Sequence, residues 1–409
     1  MSKFLDKKDK LNSEGKDLVV RGLKFKADVT KDQFIQINKT CGCVFLVANI
    51  YKDWKDKYYY NYKYNLNMGE FKYYLTHIIK KSEEYSFLKE VDKFSLETAI
   101  EAMDNAYTRF FKKESGYPKF KNKHKDKRSY TTKYTNGNIK LEKINNNLYL
   151  QLPKLGKVKL HNMKNKLIGK ILKGTANITN VTVKIRNKDI YISIQTEKII
   201  DLISKIKTVD KSKIAAGDLG ISTLLDLYSN NSHIKIDNNK YLNKSLDKLR
   251  TEQKRLSKMQ NGSKNYLKQK EKINKLHFKI SNQKKDYLHK LSRTIANENQ
   301  VYISEDLKIV NMVKNKRLAR YILDAGWGML DNFIQYKIEA NGGYFIKVNT
   351  FYPSSKLCSC GYKNIDLKLS DRRWTCPQCK KVHDRDSNAS ENLFNEGIKI
   401  LNNKRILVV

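Results

Sequence analysis

The sequence has 409 residues, enough for two to four domains of about 100–200 residues each, and carries 82 Lys and Arg against 42 Asp and Glu, a formal charge of +40. Solubility needs far less charge than this, and self-repulsion on such a scale is relieved by a polyanion, so nucleic acid is the expected partner. The charged opening Met1–Lys10 lacks the apolar core of a secretory signal, and the apolar stretch Cys41–Ile50 is half of the roughly 20 residues a membrane span needs; a cytoplasmic protein without membrane contact is expected.

Residues 18–26 alternate apolar and basic side chains and predict a strand. Thr30 is a candidate N-cap for a helix carrying Phe34, Ile37, Cys41, Val44, Phe45 and Ala48 on one face, with Cys41 and Cys43 as core thiols. Helices dense in Tyr and Lys continue over 51–115, and Ser95 is the expected cap of the last of them. Gly116–Tyr117–Pro118 ends that helix. The segment that follows interleaves Lys119, Lys121, Lys123, Lys125, Lys127 and Arg128 with Phe120 and Tyr130. Cations that follow phosphates, with aromatics on which bases stack, make Lys119, Phe120, Lys121, Lys123, Arg128 and Tyr130 candidate nucleic-acid contacts.

From 139 to 196 the period becomes two, with a turn at Asn187–Asp189, which predicts a β module of barrel type. Residues 242–299 return to helical spacing, broken at Asn261–Gly262–Ser263, and read as a basic helical hairpin.

Three segments deliver a carboxylate at the end of an apolar run: Asp218 after Ile214–Gly217, Glu305 after Val301–Ser304, and Asp386 at the opening of the final helix. Three strands, a helical excursion, a fourth strand, a helix, a fifth strand (Tyr344–Val348) and a last helix is the order of an RNase H-like domain. In that topology the first and fourth strands are neighbours, so residues 218, 305 and 386 converge. Converging carboxylates suit hard divalent ions such as Mg²⁺ or Mn²⁺, and two such ions about 3.5–4 Å apart stabilise both oxygens of a phosphodiester displacement. Asp386 is preferred as the third ligand because it immediately precedes the helix, with Asp384 as the fallback; Asp306 is a neighbour of Glu305.

Cys358-Ser359-Cys360 and Cys376-Pro377-Gln378-Cys379 form two thiol pairs separated by residues 361–375, the pattern of a structural Cys₄ zinc ribbon. The first pair is one residue tighter than the usual CxxC. His383 follows closely and could compete as a ligand, although a residue so placed is more often a neighbour of the site.

Several strings in this chain resemble the TnpB (OrfB) family: RGLKF (21–25), NKTCGC (38–43), GYPKF (116–120), SYT (129–131), DAGWG (324–328), FYPSSK (351–356), CGY (360–362), LSDRRWTCPQC (369–379) and HDRDSNASEN (383–392). The family consists of transposon-encoded RNA-guided DNA nucleases related to type V CRISPR effectors. The resemblance implies a multidomain α+β chain. A RuvC nuclease domain would occupy 201–350 and 384–409, with the hairpin 242–299, and a zinc ribbon would be inserted at 351–383. A helical recognition lobe would occupy 38–117, and a wedge-like β-barrel 1–37 and 118–200. It assigns the acids to Asp218, Glu305 and Asp386 and the zinc ligands to Cys358, Cys360, Cys376 and Cys379. It further implies a transposon-end-derived guide RNA, double-stranded target DNA and a short transposon-adjacent motif, with one site cutting both strands in turn. A compact type V effector is an alternative, which a neighbouring CRISPR array would favour. A nuclease-inactive guide-directed repressor is disfavoured because all three acids are present.

Overall fold

The structure, a computed structural model, describes all residues except 1, 124–125, 162–164, 187–188 and 369, and the side chains of 2–5 are likewise not described. Lys125 of the basic segment and the turn residues Asn187 and Lys188 therefore lie outside the described residues. The chain divides into two compact units, Met1–Leu202 and Ile203–Val409. Among the described residues no helix is long and apolar enough to cross a membrane.

The first unit runs α1 (Ser2–Ser13), β1 (Lys16–Asp28), α2 (Lys31–Tyr62), α3 (Met68–His77), α4 (Lys93–Phe111), β2 (Ser129–Lys133), β3 (Lys140–Ile144), β4 (Asn147–Leu152), β5 (Gly156–Leu160), α5 (Lys166–Leu172), β6 (Asn177–Arg186) and β7 (Asp189–Asp201). Thr30 caps α2 as expected: its side chain accepts from the Gln33 amide while Gln33 reaches back to the Thr30 amide, a reciprocal pair that satisfies two orphan donors. The cap of α4 is Asp92 and not Ser95. Asp92 accepts from the amides of Phe94 and Ser95, whereas the Ser95 hydroxyl turns back onto the Asp92 carbonyl at 2.6 Å. Cys41 and Cys43 are buried in the core between α2, α4 and the sheet, and burial pushes the Cys41 thiol up to about 12.

The strands of this unit form one antiparallel sheet in the order β2-β6-β7-β1-β5-β4-β3. The sequence-predicted barrel is not closed: β2 and β3 are the two edges, with no ladder between them among the described residues. The physical reason at one edge is a helix. The Thr98 hydroxyl of α4 donates to the Thr131 carbonyl of β2 at 2.5 Å, so the edge is covered by α4 where a closing strand would pair.

The second unit runs β8 (Thr208–Val209), β9 (Ile214–Leu219), β10 (Thr223–Ser229), β11 (Ser232–Asp237), α6 (Tyr241–Lys244), α7 (Leu246–Ser257), α8 (Lys264–Glu298), β12 (Val301–Glu305), α9 (Ile309–Met312), α10 (Ala319–Ala325), α11 (Trp327–Glu339), β13 (Tyr344–Val348), β14 (Arg373–Thr375), β15 (Val382–Asp384), α12 (Arg385–Asn403) and β16 (Leu407–Val408). Its main sheet has the order β11-β10-β9-β12-β13. β9, β10 and β11 are antiparallel neighbours, and β9, β12 and β13 run parallel.

Both faces of this sheet are covered, which is why its central strands are continuously apolar. Ala215 and Tyr302 face a core built with Leu288 and Ile295 of α8 and Leu330 and Ile334 of α11. Ile214, Ala216, Val301 and Ile303 face the opposite core, built with Leu393, Phe394 and Leu401 of α12. The helical hairpin is present: Gly262 takes φ +83°, Ser263 caps α8, and Leu249, Ile273 and Ile280 hold α7 against α8.

Candidate active site and metal centre

Strand parity decides where the acids point. On β9, Ile214 and Ala216 face α12, so Asp218 does too; on β12, Val301 and Ile303 face α12, and so does Glu305. Gly217 is the register partner of Ser304, which sets Asp218 and Glu305 level at the carboxyl ends of adjacent parallel strands. Asp386 lies in the first turn of α12, the helix packed on that same face. Sequence reasoning placed Asp386 immediately before the helix; the residue there is Asp384, which accepts from the Ser387 amide at 3.1 Å and caps α12. Asp384 also accepts from the Lys235 ammonium at 2.9 Å.

The three acids are close enough to feel one another. Burial, then Asp386, then Glu305 push Asp218 up to about 7. Burial also raises Glu305, against an opposing Lys347. Asp386 is held by two cations: Arg372 lies 3.2 Å from its Oδ2, and Arg385 lies 3.1 Å from its Oδ1. Among the described residues, the only group of three or more His, Cys, Asp or Glu side chains whose ligand atoms all lie within 4.8 Å of one another is Cys358, Cys360, Cys376 and Cys379. The three carboxylates do not all lie within that distance of one another.

The backbone beneath Asp218 is crowded. A Cβ on Gly217 would lie 2.2 Å from the Tyr302 hydroxyl and 2.5 Å from Leu225 Cδ1, so glycine is required before this acid. Trp327 donates to the Gly220 carbonyl at 3.1 Å and fixes the loop after β9. This explains part of the DAGWG string: Gly326, at φ +74°, ends α10 and starts α11, while Asp324 accepts the amides of Leu242 and Asn243.

The thiols of Cys358, Cys360, Cys376 and Cys379 cluster, with Sγ–Sγ distances of 3.4 Å for Cys358–Cys379 and 3.6 Å for Cys360–Cys376. A tetrahedron with Zn–S arms of about 2.3 Å has edges of about 3.8 Å, so the tight CxC pair still fits. His383 Nε2 lies 3.1 Å from Cys358 Sγ, and its ring stacks on Trp374, which places it against the cluster as a neighbour.

The basic segment after Pro118 is anchored to α2. The Lys121 amide donates to Asn49 Oδ1 at 2.6 Å, and the Asn49 amide donates back to the Lys121 carbonyl at 3.0 Å. Lys119, Phe120, Lys121 and Lys123 are exposed, and the exposed Arg128 donates to Asn38 Oδ1 at 3.0 Å. Tyr130 is a correction. It is 6 % exposed, since the alternation of β2 turns it into the core of the first unit, where its ring cannot stack on a base.

A model described as "Probable transposase" (OrfB_IS605) matches residues 190–316, and one described as "Cas12f1-like, TNB domain" matches residues 327–393. A Streptomyces pristinaespiralis protein named "Putative RNA-guided DNA endonuclease" is 32% identical over 388 residues, which cover 93% of this chain and 90% of that protein.

The chain belongs to the TnpB (OrfB) family.

A second relative, the Escherichia coli (strain K12) protein named "Putative RNA-guided DNA endonuclease InsQ", is 29% identical to this TnpB-family chain over 339 residues, which cover 79% of each chain. The fold is similar to the protein in the cryo-EM structure of a Cas12f1-sgRNA-target DNA complex, with a TM-score of 0.64 at 15% identity, covering 93% of this chain and 99% of that one. It is also similar to the mini RNA-guided endonuclease CRISPR-Cas_phi3, with a TM-score of 0.52 at 9% identity over 95% and 94% of the two chains.

Within this TnpB-family chain, sequence reasoning missed residues that hold the site together. Asn388 and Asn392 of α12 both donate to the Leu357 carbonyl, at 2.9 and 2.8 Å, and Asn392 also donates to the Ser354 carbonyl, which ties the approach to the first thiol pair onto α12. Their i, i+4 spacing in HDRDSNASEN was the available signal.

Proposed function

We propose that this chain is an RNA-guided DNA endonuclease that hydrolyses phosphodiester bonds at the acidic edge of its five-stranded sheet, an RNase H-like (RuvC) site. The observation that carries the reading is the common face: parity and register aim Asp218 and Glu305 toward the helix whose first turn holds Asp386. The membership of the TnpB family supports guide RNA and double-stranded DNA as the partners.

The donor set fits hard divalent cations. It offers carboxylate oxygens only, and the group at its centre, Asp218, has its ionised form made costly by burial first and then by Asp386 and Glu305, a condition a cation relieves. Asp218, Glu305 and Asp386 would hold Mg²⁺ or Mn²⁺, which when bound supplies a nucleophilic water and neutralises the charge of the displacement. The chain's own part is to fix the acids, and Arg372 helps to hold Asp386 through its guanidinium. Cys358, Cys360, Cys376 and Cys379 would hold Zn²⁺ as a closed structural site.

In this reading residues 201–350 and 384–409 are the nuclease domain, 351–383 the ribbon, 38–117 the recognition lobe, and 1–37 with 118–200 the wedge-like module. The guide derives from the transposon end, and base pairing reads the target while the protein reads a short adjacent motif.

The test is guided cleavage by the purified ribonucleoprotein. Asp218→Ala removes a metal ligand and no phosphate contact, so cutting is lost while RNA and target binding stay near wild type. Sequencing the co-purifying RNA is the second arm; a protein that carries no RNA and cuts without one would overturn the guided mechanism.

A further inference from the structure

Asp226 is a buried acid that the proposed site does not use. It stands on β10 as the register partner of Asp218 and is 1 % exposed. A strand interior at this place would be more stable with an apolar residue, because a buried carboxylate loses its hydration. Every acceptor it has is engaged. Ser387 donates to its Oδ2 at 2.9 Å, Ser390 donates to its Oδ1 at 3.0 Å, and His233 Nδ1 lies 3.1 Å from Oδ1. Lys235, 3.9 Å from its Oδ2, also grips Asp384 at 2.9 Å.

The two serines belong to the first turns of α12 and follow Asp386 in sequence, one immediately after it and one a helical turn later. The β9–β10 pair thus carries Asp218 on one strand and, level with it, the acid that pins the helix bearing Asp386. We propose that Asp226, through Ser387 and Ser390, is a positioning residue that fixes the separation of Asp218 and Asp386, and so sets the affinity of the acidic site for its divalent cation.

This inference rests on the acidic-site reading, and Asp218→Ala separates the two: if Asp218→Ala still cuts, that reading fails irrespective of Asp226. The clamp itself is tested with Asp226→Ala, Ser387→Ala/Ser390→Ala and all three changes combined, each as the full ribonucleoprotein. Loss of an outer partner of a metal ligand typically costs about 10–100-fold in metal affinity or activity. Both variants are expected to need about 10-fold more Mg²⁺ for half-maximal cutting, to recover rate as Mg²⁺ is raised, and to bind matched DNA as the wild type does. Mn²⁺ titration followed by electron paramagnetic resonance, independent of cleavage, is expected to weaken by the same factor. The combined variant is expected to be no worse than either alone, because all remove one linkage. Wild-type metal dependence in both variants, effects that add, or a loss confined to the melting temperature would each overturn the proposal; the serine variant keeps the test open should Asp226→Ala fold poorly.

Discussion

Asp218 carries its charge at a cost in the metal-free protein. Its folded value of about 7 stands above the roughly 3.9 of an unfolded Asp, so between these values the unfolded chain has released a proton that the folded one retains. Stability therefore falls as pH rises from about 4 to about 7 and stays lowered above that. Asp218→Asn removes this loss. In EDTA its melting temperature is expected to exceed wild type by a few degrees at pH 8, with the gap closing toward pH 4; a gap that widens at low pH would refute the assignment. In the sequence, Asp218 and Glu305 stand out because each ends an apolar run, and Asp386 because it stands at the opening of the last helix. Asp226 was not, because its role depends on register: along β10 it is one more alternating residue, and only the pairing with Asp218 and the approach of α12 give it partners. Tyr130 was misread for the same reason. It sits among cations in sequence, but the parity of β2 turns it inward.

At the level of elements, the hairpin α7–α8 was legible from its helical period, and the strands of the second sheet from alternation or, at its centre, from short unbroken apolar runs. The cap of α4 was not: Asp92 and Ser95 are both good cap residues three positions apart, and the choice is made by which one leaves helical geometry. Asp92→Ala is expected to lower stability by about 1 kcal/mol in chemical denaturation, through two lost amide partners. The barrel was overcalled, since alternation fixes strands but not whether their edges meet; here α4 lies on β2 first. The clustering of the four thiols was legible from spacing alone. Metal analysis is expected to find one zinc per chain, absent in Cys376→Ser, with a lowered melting transition when the metal is stripped. Zinc-free protein that melts unchanged would rule out a structural metal.

At the level of the whole molecule, a charge of +40 spread over 409 residues sets the mode of binding. Affinity for non-matching duplex is expected to fall by about 10³-fold or more between 50 and 200 mM salt, as for proteins that neutralise 6–10 phosphates. Lys119→Ala, Lys121→Ala and Lys123→Ala together are expected to reduce the slope of log affinity against log salt by about 2–3, with target preference retained. An unchanged slope would remove that segment from the interface. Charge was legible without any fold, whereas the partners of Arg372 and the tie from Asn388 and Asn392 to residues 354–357 needed coordinates, because each joins stretches far apart in the chain. That tie has a corollary. The helix turn that carries Asp386 leans on the same backbone that leads into the first thiol pair, so emptying the proposed thiol site would withdraw a prop from the turn on which that acid stands.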